Sequence, residues 1–155
     1  MKVLLAEDSA SDRLILARLV SLLGHAVIEA EDGTEAVDLF RETQPDLVLL
    51  DALMPRMDGM EAARQIKALA GERLVPLIFL TSLSGAGDLA RCLEAGGDDF
   101  LVKPYNRVIL EAKINAFNRM RGLHQALSDQ RDHIRRQNQQ MLDEQRTARR
   151  VFDNI

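Results

Sequence analysis

Short apolar runs alternate along the chain with stretches whose apolar positions recur every three or four residues. The first pattern is typical of buried strands, and the second is typical of helices that pack by one face. From about residue 106 onward the sequence has only the helical pattern. The apolar runs that predict strands cover residues 2–7, 26–30, 46–51, 75–82 and 99–103.

Five strand-helix units in succession predict an α/β domain, a doubly wound parallel sheet with helices on both faces. Right-handed crossovers leave few topologies for such a sheet, and one is the flavodoxin-like strand order 2-1-3-4-5. The third run, DLVLLD at 46–51, is almost continuously apolar, which indicates a strand covered on both faces. A functional site is expected beyond the carboxyl ends of strands 1 and 3, where the order of the sheet reverses.

Polar side chains follow four of the predicted strands. Three carboxylates that meet at one edge of a sheet repel one another unless a cation shares them, and Mg²⁺ prefers such oxygen ligands. A carboxylate nucleophile, a metal and a cationic donor are together suited to phosphoryl transfer onto aspartate. The residues concerned are Glu7 and Asp8 after strand 1, Asp51 after strand 3, Thr81 and Ser82 after strand 4, and Lys103 and Pro104 after strand 5.

The segments AEDS, LLDALMPRMDG, LTS and DFLVKPY resemble, in order and spacing, the receiver domain of bacterial two-component response regulators. The resemblance covers residues 1–120. It implies a switch rather than an enzyme with an external substrate: a sensor histidine kinase or a phosphotransfer protein phosphorylates Asp51, and the face of helix 4, strand 5 and helix 5 responds.

The resemblance also implies roles for individual residues. Two leucines beside the acceptor, Leu53 and Leu83, suggest that the phosphoryl group is lost slowly, since they offer water no hydrogen bond. The implied roles are Mg²⁺ binding by Glu7, Asp8, Asp51 and the backbone carbonyl of Leu53, phosphoryl contacts from Thr81, Ser82 and Lys103, switching by Thr81 and Phe100, and loop geometry set by Pro55, Gly59 and Pro104.

Two other classes of protein are compatible with an aspartate at this position. An aspartate-nucleophile phosphatase of the haloacid-dehalogenase type would resemble a DxDxT pattern, and Leu53 occupies the place of its second acid. A degenerate receiver that serves only as a dimerisation or interaction module would not need the complete set of polar residues. Both alternatives are therefore less well supported than a working phosphoacceptor.

Composition narrows the setting of the protein. A chain of 155 residues with 46% hydrophobic and 28% charged residues can form a folded domain. Its single cysteine, Cys92, excludes an internal disulfide, which favours a reducing cytoplasm. The apolar start MKVLL ends at Glu7, too early for a signal peptide, and no apolar stretch is long enough for a membrane span. A cytoplasmic protein is expected.

The charge changes sign near the end of the chain. Residues 119–155 hold 8 arginines and 5 acidic residues, within a protein whose net charge is −4. We therefore predict a receiver domain at 1–120 and a helical linker at 121–155. The linker has an apolar residue at every seventh position, as a coiled coil requires; we name these residues the linker seam, and they are Met120, Leu127, Ile134, Met141, Ala148 and Ile155.

The linker seam predicts a homodimer, although the companion positions, such as Gln130 and Glu144, are mostly polar. The helical pattern continues to the last residue, so an output domain is expected to follow in a longer protein. Linkers of this type resemble those before PP2C-type phosphatase and diguanylate cyclase domains. Direct nucleic-acid binding is not expected, because acidic residues interrupt the arginines and no helix-turn-helix pattern is present.

Overall fold

Strands and helices alternate throughout the computed structural model, which describes residues 1–82 and 86–153. The strands pair in parallel in the order 2-1-3-4-5, which confirms the predicted fold class. The elements are β1 (Lys2–Ala6), α1 (Ala10–Leu22), β2 (Ala26–Ala30), α2 (Gly33–Thr43), β3 (Leu47–Asp51), α3 (Gly59–Ala70), β4 (Leu77–Thr81), α4 (Ala86–Glu94), β5 (Asp99–Val102) and α5 (Arg107–Asp153).

Short polar side chains start three of the helices. Ser9, Asp32 and Asp58 are the N-cap residues of α1, α2 and α3, and each side chain accepts a hydrogen bond from the backbone N–H three residues later. These bonds satisfy N–H groups that have no partner inside the helix. The caps fix where each helix begins, and therefore the lengths of the loops that follow the strands.

Strands β3 and β4 are buried along their whole length. Alternate residues point to opposite faces of the sheet, so each strand contributes to two cores. Leu50 and Phe79 belong to the core that α2, α3 and α4 cover. Leu49 and Leu80 belong to the core covered by α1 and by Leu110 and Ile114 of α5. The continuous apolar runs of the sequence follow from this two-sided cover.

The chain divides into two units, Met1–Asn118 and Arg119–Ile155. In the second unit, residues 119–153 are helical, and the helix is uninterrupted at Gly122. The linker seam residues that are described are all exposed, with Leu127 at 66% and Ile134 at 49%. Ile155, the last residue of the predicted seam, lies outside the described residues. Within the described part of the chain, no helix has both the length and the apolar character needed to cross a membrane.

Candidate functional site

Three carboxylates meet at the carboxyl ends of β1 and β3. Ala6 is paired with Leu50 in the sheet, so the residues that follow on the two strands lie side by side. Glu7, Asp8 and Asp51 each place one carboxylate oxygen within 4.8 Å of the others. Glu7 is fully buried and Asp51 is 5% exposed, whereas Asp8 is exposed to solvent. The cluster thus combines two buried carboxylates with one that solvent reaches.

Lys103 brings a positive charge to this cluster from the end of β5. Its Nζ lies 3.1 Å from Glu7 Oε2, 3.2 Å from Asp51 Oδ2 and 3.8 Å from Asp12 Oδ2. The backbone N–H of Lys103 donates to the Thr81 carbonyl at 2.9 Å, which ties the end of β5 to the end of β4. The peptide bond from Lys103 to Pro104 is cis. The ammonium of Lys103 is therefore paired with the carboxylates of both Glu7 and Asp51.

The pKa values of Glu7 and Lys103 are both raised, for different reasons. Burial raises the pKa of Glu7 above its usual value, and the neighbouring Asp51 raises it further, which outweighs the effects of Lys103 and of the Ser9 N–H. Burial alone would lower the pKa of Lys103, but its contacts with Glu7 and Asp51 outweigh burial and raise it. Lys103 is thus held in its charged form, whereas the environment of Glu7 favours its neutral form.

Two side chains near Glu7 were not predicted from the sequence. The Tyr105 hydroxyl donates to Glu7 Oε2 at 3.1 Å, and Arg13 Nη1 donates to the Glu7 carbonyl oxygen at 2.8 Å. Burial, followed by the negative charge of Glu7, raises the pKa of the Tyr105 phenol. Arg13 lies four positions after Ser9, the N-cap of α1, and Tyr105 directly follows Pro104. No periodicity distinguishes either residue.

The remaining predicted residues lie at the same edge of the sheet or next to it. Thr81 is the last residue of β4 and is 2% exposed, while Ser82 is exposed. Phe100 in β5 is half-buried against the core under α2, α3 and α4. Lys113 Nζ lies 6.0 Å from the centre of its ring. Leu53 is 57% exposed, and Leu83 lies outside the described residues.

The loop between β3 and α3 begins on Asp51 itself. The Leu53 N–H donates to Asp51 Oδ1 at 3.0 Å, and the Gly59 N–H donates to the Ala52 carbonyl at 3.1 Å. An ideal Cβ on Gly59 would lie 2.1 Å from the Asp51 carbonyl oxygen, so only glycine fits there. Pro55 is exposed within the loop. The loop is therefore closed directly against the backbone of Asp51.

The donor atoms at this edge fit a hard divalent cation. All three side chains offer carboxylate oxygens, and the exposed Asp8 leaves room for water, which Mg²⁺ usually keeps among its ligands. The three carboxylates are thus chemically suited to share one divalent ion.

Comparison with known proteins extends these observations. The response regulator receiver domain model matches residues 3–115. The chain is 43% identical over 115 residues to the probable transcriptional regulator ycf27 of Guillardia theta, a match that covers 74% of this chain and 44% of that protein. It thus spans about half the length of the curated relatives that it matches.

Solved structures show the same fold. The receiver domain of sensor histidine kinase PA1611 from Pseudomonas aeruginosa PAO1, with magnesium coordinated in its active site cleft, is 34% identical at a TM-score of 0.70, covering 75% of this chain and 95% of that one. The receiver domain of Saccharomyces cerevisiae Ssk1, solved with the phosphotransfer protein Ypd1, matches at 28% identity and a TM-score of 0.71, covering 77% and 90%. Since the family model spans most of the chain, this protein belongs to the receiver domain family of two-component response regulators.

Proposed function

We propose that this receiver is a phosphorylatable switch in which Asp51 accepts a phosphoryl group from a phosphohistidine. One observation carries the proposal. The Asp51 carboxylate is nearly buried, lies 3.2 Å from Lys103 Nζ and shares a potential cation site with Glu7 and Asp8. A carboxylate that served only to end a strand would need neither a cationic partner nor two neighbouring acids.

The chemistry is a transfer between two heteroatoms. A carboxylate oxygen of Asp51 forms a bond to phosphorus while the bond from phosphorus to the donor's imidazole nitrogen breaks and its electron pair stays on that nitrogen. The ammonium of Lys103 neutralises charge on the phosphoryl oxygens. Thr81, at the end of the neighbouring strand, supplies a hydroxyl for hydrogen bonding to them. Each of these side chains comes from a different strand end, so the sheet holds them in place.

Glu7, Asp8 and Asp51 would hold Mg²⁺, with the Leu53 carbonyl as a predicted further ligand. When bound, the ion would supply positive charge that offsets the negative charge of the three carboxylates and of the phosphoryl oxygens. The magnesium coordinated in the PA1611 receiver supports this assignment. Glu7 is the fully buried member of the cluster, whereas Asp8 is exposed and can reach an incoming ligand.

The phosphodonor would approach past α1 and the end of β5. A cleft of about 420 Å³ lies beside Lys103 and is lined by Asp12, Ile15, Lys103, Pro104 and Tyr105. Leu14 and Ile15 on α1 are 53% and 51% exposed, so they offer an apolar surface next to the cleft. The complex between Ssk1 and Ypd1 supports a histidine kinase or a phosphotransfer protein as the partner.

Phosphoryl uptake tests the proposal directly. Incubation of the chain with a small phosphodonor and Mg²⁺ is expected to add about 80 Da, the mass of one phosphoryl group, in intact mass spectrometry. The adduct should require Mg²⁺ and should be absent from the Asp51→Asn variant, since an amide is a poor nucleophile.

The controls separate the proposal from its alternatives. Asp58→Asn keeps a helix-capping side chain in the same loop and should be phosphorylated like the wild type. A folded wild-type chain that takes up no phosphoryl group would contradict the proposal and favour a degenerate receiver. An adduct that persists in Asp51→Asn would place the acceptor elsewhere.

We further propose that residues 119–155 pair with a second copy of the chain and couple the receiver to an output domain. The linker seam supports this, because Met120, Leu127, Ile134 and Met141 are about half or more exposed. In a parallel pair of helices, the residues on either side of the linker seam meet across the dimer. Ala126 of one copy would contact Arg131 of the other, and Gln140 would contact Gln145, so no like charges oppose each other at these positions. The transcriptional regulators among the relatives do not test the phosphatase or cyclase output predicted above.

A charge in the linker seam should abolish this dimer. Ile134→Asp would place two carboxylates in the interface, and we expect its dissociation constant to rise roughly tenfold or more. Gln139→Asp carries the same charge on the opposite side of the helix and should leave the dimer intact. Light scattering after size-exclusion chromatography measures both. Equal masses for Ile134→Asp and Gln139→Asp at all concentrations would rule out the seam as the interface.

A further inference from the structure

The loop between β3 and α3 contains a backbone conformation that side-chain-bearing residues rarely adopt. Arg56 has φ +67°, and the Met57 N–H donates to the Pro55 carbonyl at 2.9 Å across it. A hydrogen bond over three residues with a positive φ at the centre forms a strained γ-turn. Such a turn persists only when its surroundings hold it in place.

The loop between β2 and α2 holds this turn by two contacts. Arg56 Nη1 lies 3.1 Å from Asp32 Oδ2, and the Asp32 side chain is only 9% exposed although that of Arg56 is 77% exposed. The other oxygen of Asp32 caps α2 by accepting from the Glu35 N–H at 2.8 Å. Both oxygens of one buried carboxylate are therefore occupied, one by its own helix and one by the turn.

Gly33 supplies the second contact. An ideal Cβ at this position would lie 2.3 Å from the Met57 carbonyl oxygen, so the first turn of α2 packs directly against the backbone of the γ-turn. Backbone atoms cannot move aside as the end of a long side chain can. We call these four residues the loop clamp: Asp32 and Gly33 at the start of α2, and Arg56 and Met57 in the β3–α3 loop.

The clamped turn is continuous with the acceptor. Two residues separate Arg56 from Leu53, whose N–H donates to the Asp51 carboxylate at 3.0 Å. The other end of the loop returns to the same place, because the Gly59 N–H bonds to the Ala52 carbonyl. A displacement of the turn would therefore move the backbone that orients the Asp51 side chain.

We infer that Asp32 and Arg56 are positioning residues for the phosphoacceptor site: the loop clamp fixes the β3–α3 loop, and with it the Asp51 carboxylate, for Mg²⁺ binding. This inference rests on the proposed function of that site. Neither residue belongs to the carboxylate cluster. Their effect would be transmitted through the backbone from Arg56 to Leu53, and a surface ion pair without such a role would affect stability alone.

Four variants distinguish positioning from stability. Asp32→Asn keeps a good helix cap but loses the charge that holds Arg56. Arg56→Ala loses the ion pair and keeps the strain, whereas Arg56→Gly loses the ion pair and removes the strain. Arg41→Ala is the matched control, because it removes an exposed ion pair with Asp38 on the outside of α2.

Mg²⁺ titrations followed by amide NMR shifts, together with thermal unfolding, provide the test. Asp32→Asn and Arg56→Gly are expected to bind Mg²⁺ about three- to tenfold more weakly, since partners outside the ligand set tune metal affinity. Arg56→Gly should nevertheless unfold at or above the temperature of Arg56→Ala. Arg41→Ala should stay within about twofold of the wild-type affinity.

Equal Mg²⁺ affinities in the wild type, Asp32→Asn and Arg56→Gly would overturn the inference. So would losses of affinity that simply follow the unfolding temperature across all four variants. Phosphoryl uptake by the wild type at saturating Mg²⁺ is measured in parallel. If the wild type takes up no phosphoryl group but the variants show the expected order of Mg²⁺ affinities, the proposed function is contradicted. The inference about the loop clamp is then still supported.

Discussion

Replacement of Lys103 by methionine is expected to lower the free energy of unfolding by about 2 to 3 kcal/mol at pH 7 in Mg²⁺-free buffer. The variant would leave the fully buried Glu7 and the nearly buried Asp51 without the ammonium that lies within 3.2 Å of both. Removal of one partner from a buried ionic group is costly because the remaining charge is uncompensated. The partial exposure of Lys103 places the effect below that of a fully buried pair.

The difference in the free energy of unfolding between the wild type and Lys103→Met should shrink as the pH falls. The pKa of Glu7 is raised in the folded protein, and loss of Lys103 raises it further. A carboxyl of this kind favours folding below its unfolded pKa, and that contribution is lost as the pH rises through the folded pKa. The pKa of Lys103 is itself raised above 10.5, so its own contribution is complete at both pH 5 and pH 7 and is lost only at higher pH. The deficit of the variant is therefore smaller at pH 5 than at pH 7.

Urea unfolding of the wild type and the variant at the two pH values measures this difference. Lys113→Met is the matched control, because Lys113 is similarly exposed and pairs with Asp99 at 2.6 Å, a carboxylate that water reaches. Its deficit should be about the same at pH 5 and pH 7. A Lys103→Met deficit that is also independent of pH would mean that Glu7 is not the group left uncompensated.

A single methyl group at position 59 should be even more damaging. Gly59→Ala would place a Cβ 2.1 Å from the Asp51 carbonyl oxygen and 2.8 Å from Ala52 Cα, and neither backbone atom can give way without moving the acceptor. We expect a loss of roughly 3 kcal/mol or more in the free energy of unfolding. The fraction of Gly59→Ala molecules that remains folded should also take up less phosphoryl group than the wild type.

Gly122→Ala provides the contrasting substitution. This position lies inside a helix with nothing within 4 Å of an ideal Cβ, so alanine should stabilise the helix by about 0.5 to 1 kcal/mol. Circular dichroism during thermal unfolding measures both variants. Wild-type stability in Gly59→Ala would show that the β3–α3 loop can shift away from Asp51 at little cost.

The sheet was predictable, and so was the meeting of Glu7, Asp8 and Asp51 at one edge of it, because each depends on information that the sequence carries locally. Runs such as LVLLD differ in period from the helices around them, so the alternation of strands and helices follows from the sequence. The order of the strands then follows from rules of handedness. One boundary was wrong by two residues: the fourth strand begins at Leu77 and not at 75, where Pro76 has no N–H to donate.

The contacts that surround Glu7 and the β3–α3 loop were not predictable in the same way. The Tyr105 hydroxyl reaches Glu7 across 98 residues of sequence, and the Arg56 side chain reaches Asp32 from another loop. These contacts depend on the direction of single side chains, which periodicity does not encode. The positive φ of Arg56 also had no signal, because arginine is not a residue that usually indicates a left-handed turn.

The position of Tyr105 makes its intrinsic fluorescence sensitive to the groups around Glu7. The chain contains one tyrosine and no tryptophan, so its near-ultraviolet emission arises chiefly from one phenol ring. The hydroxyl of that ring donates to a carboxylate oxygen of Glu7, 3.1 Å away. Ions or phosphoryl groups that alter the charge on Glu7 should therefore change the intensity of this emission. Stopped-flow fluorimetry could then follow changes at this edge of the sheet in the unmodified protein, without an attached dye.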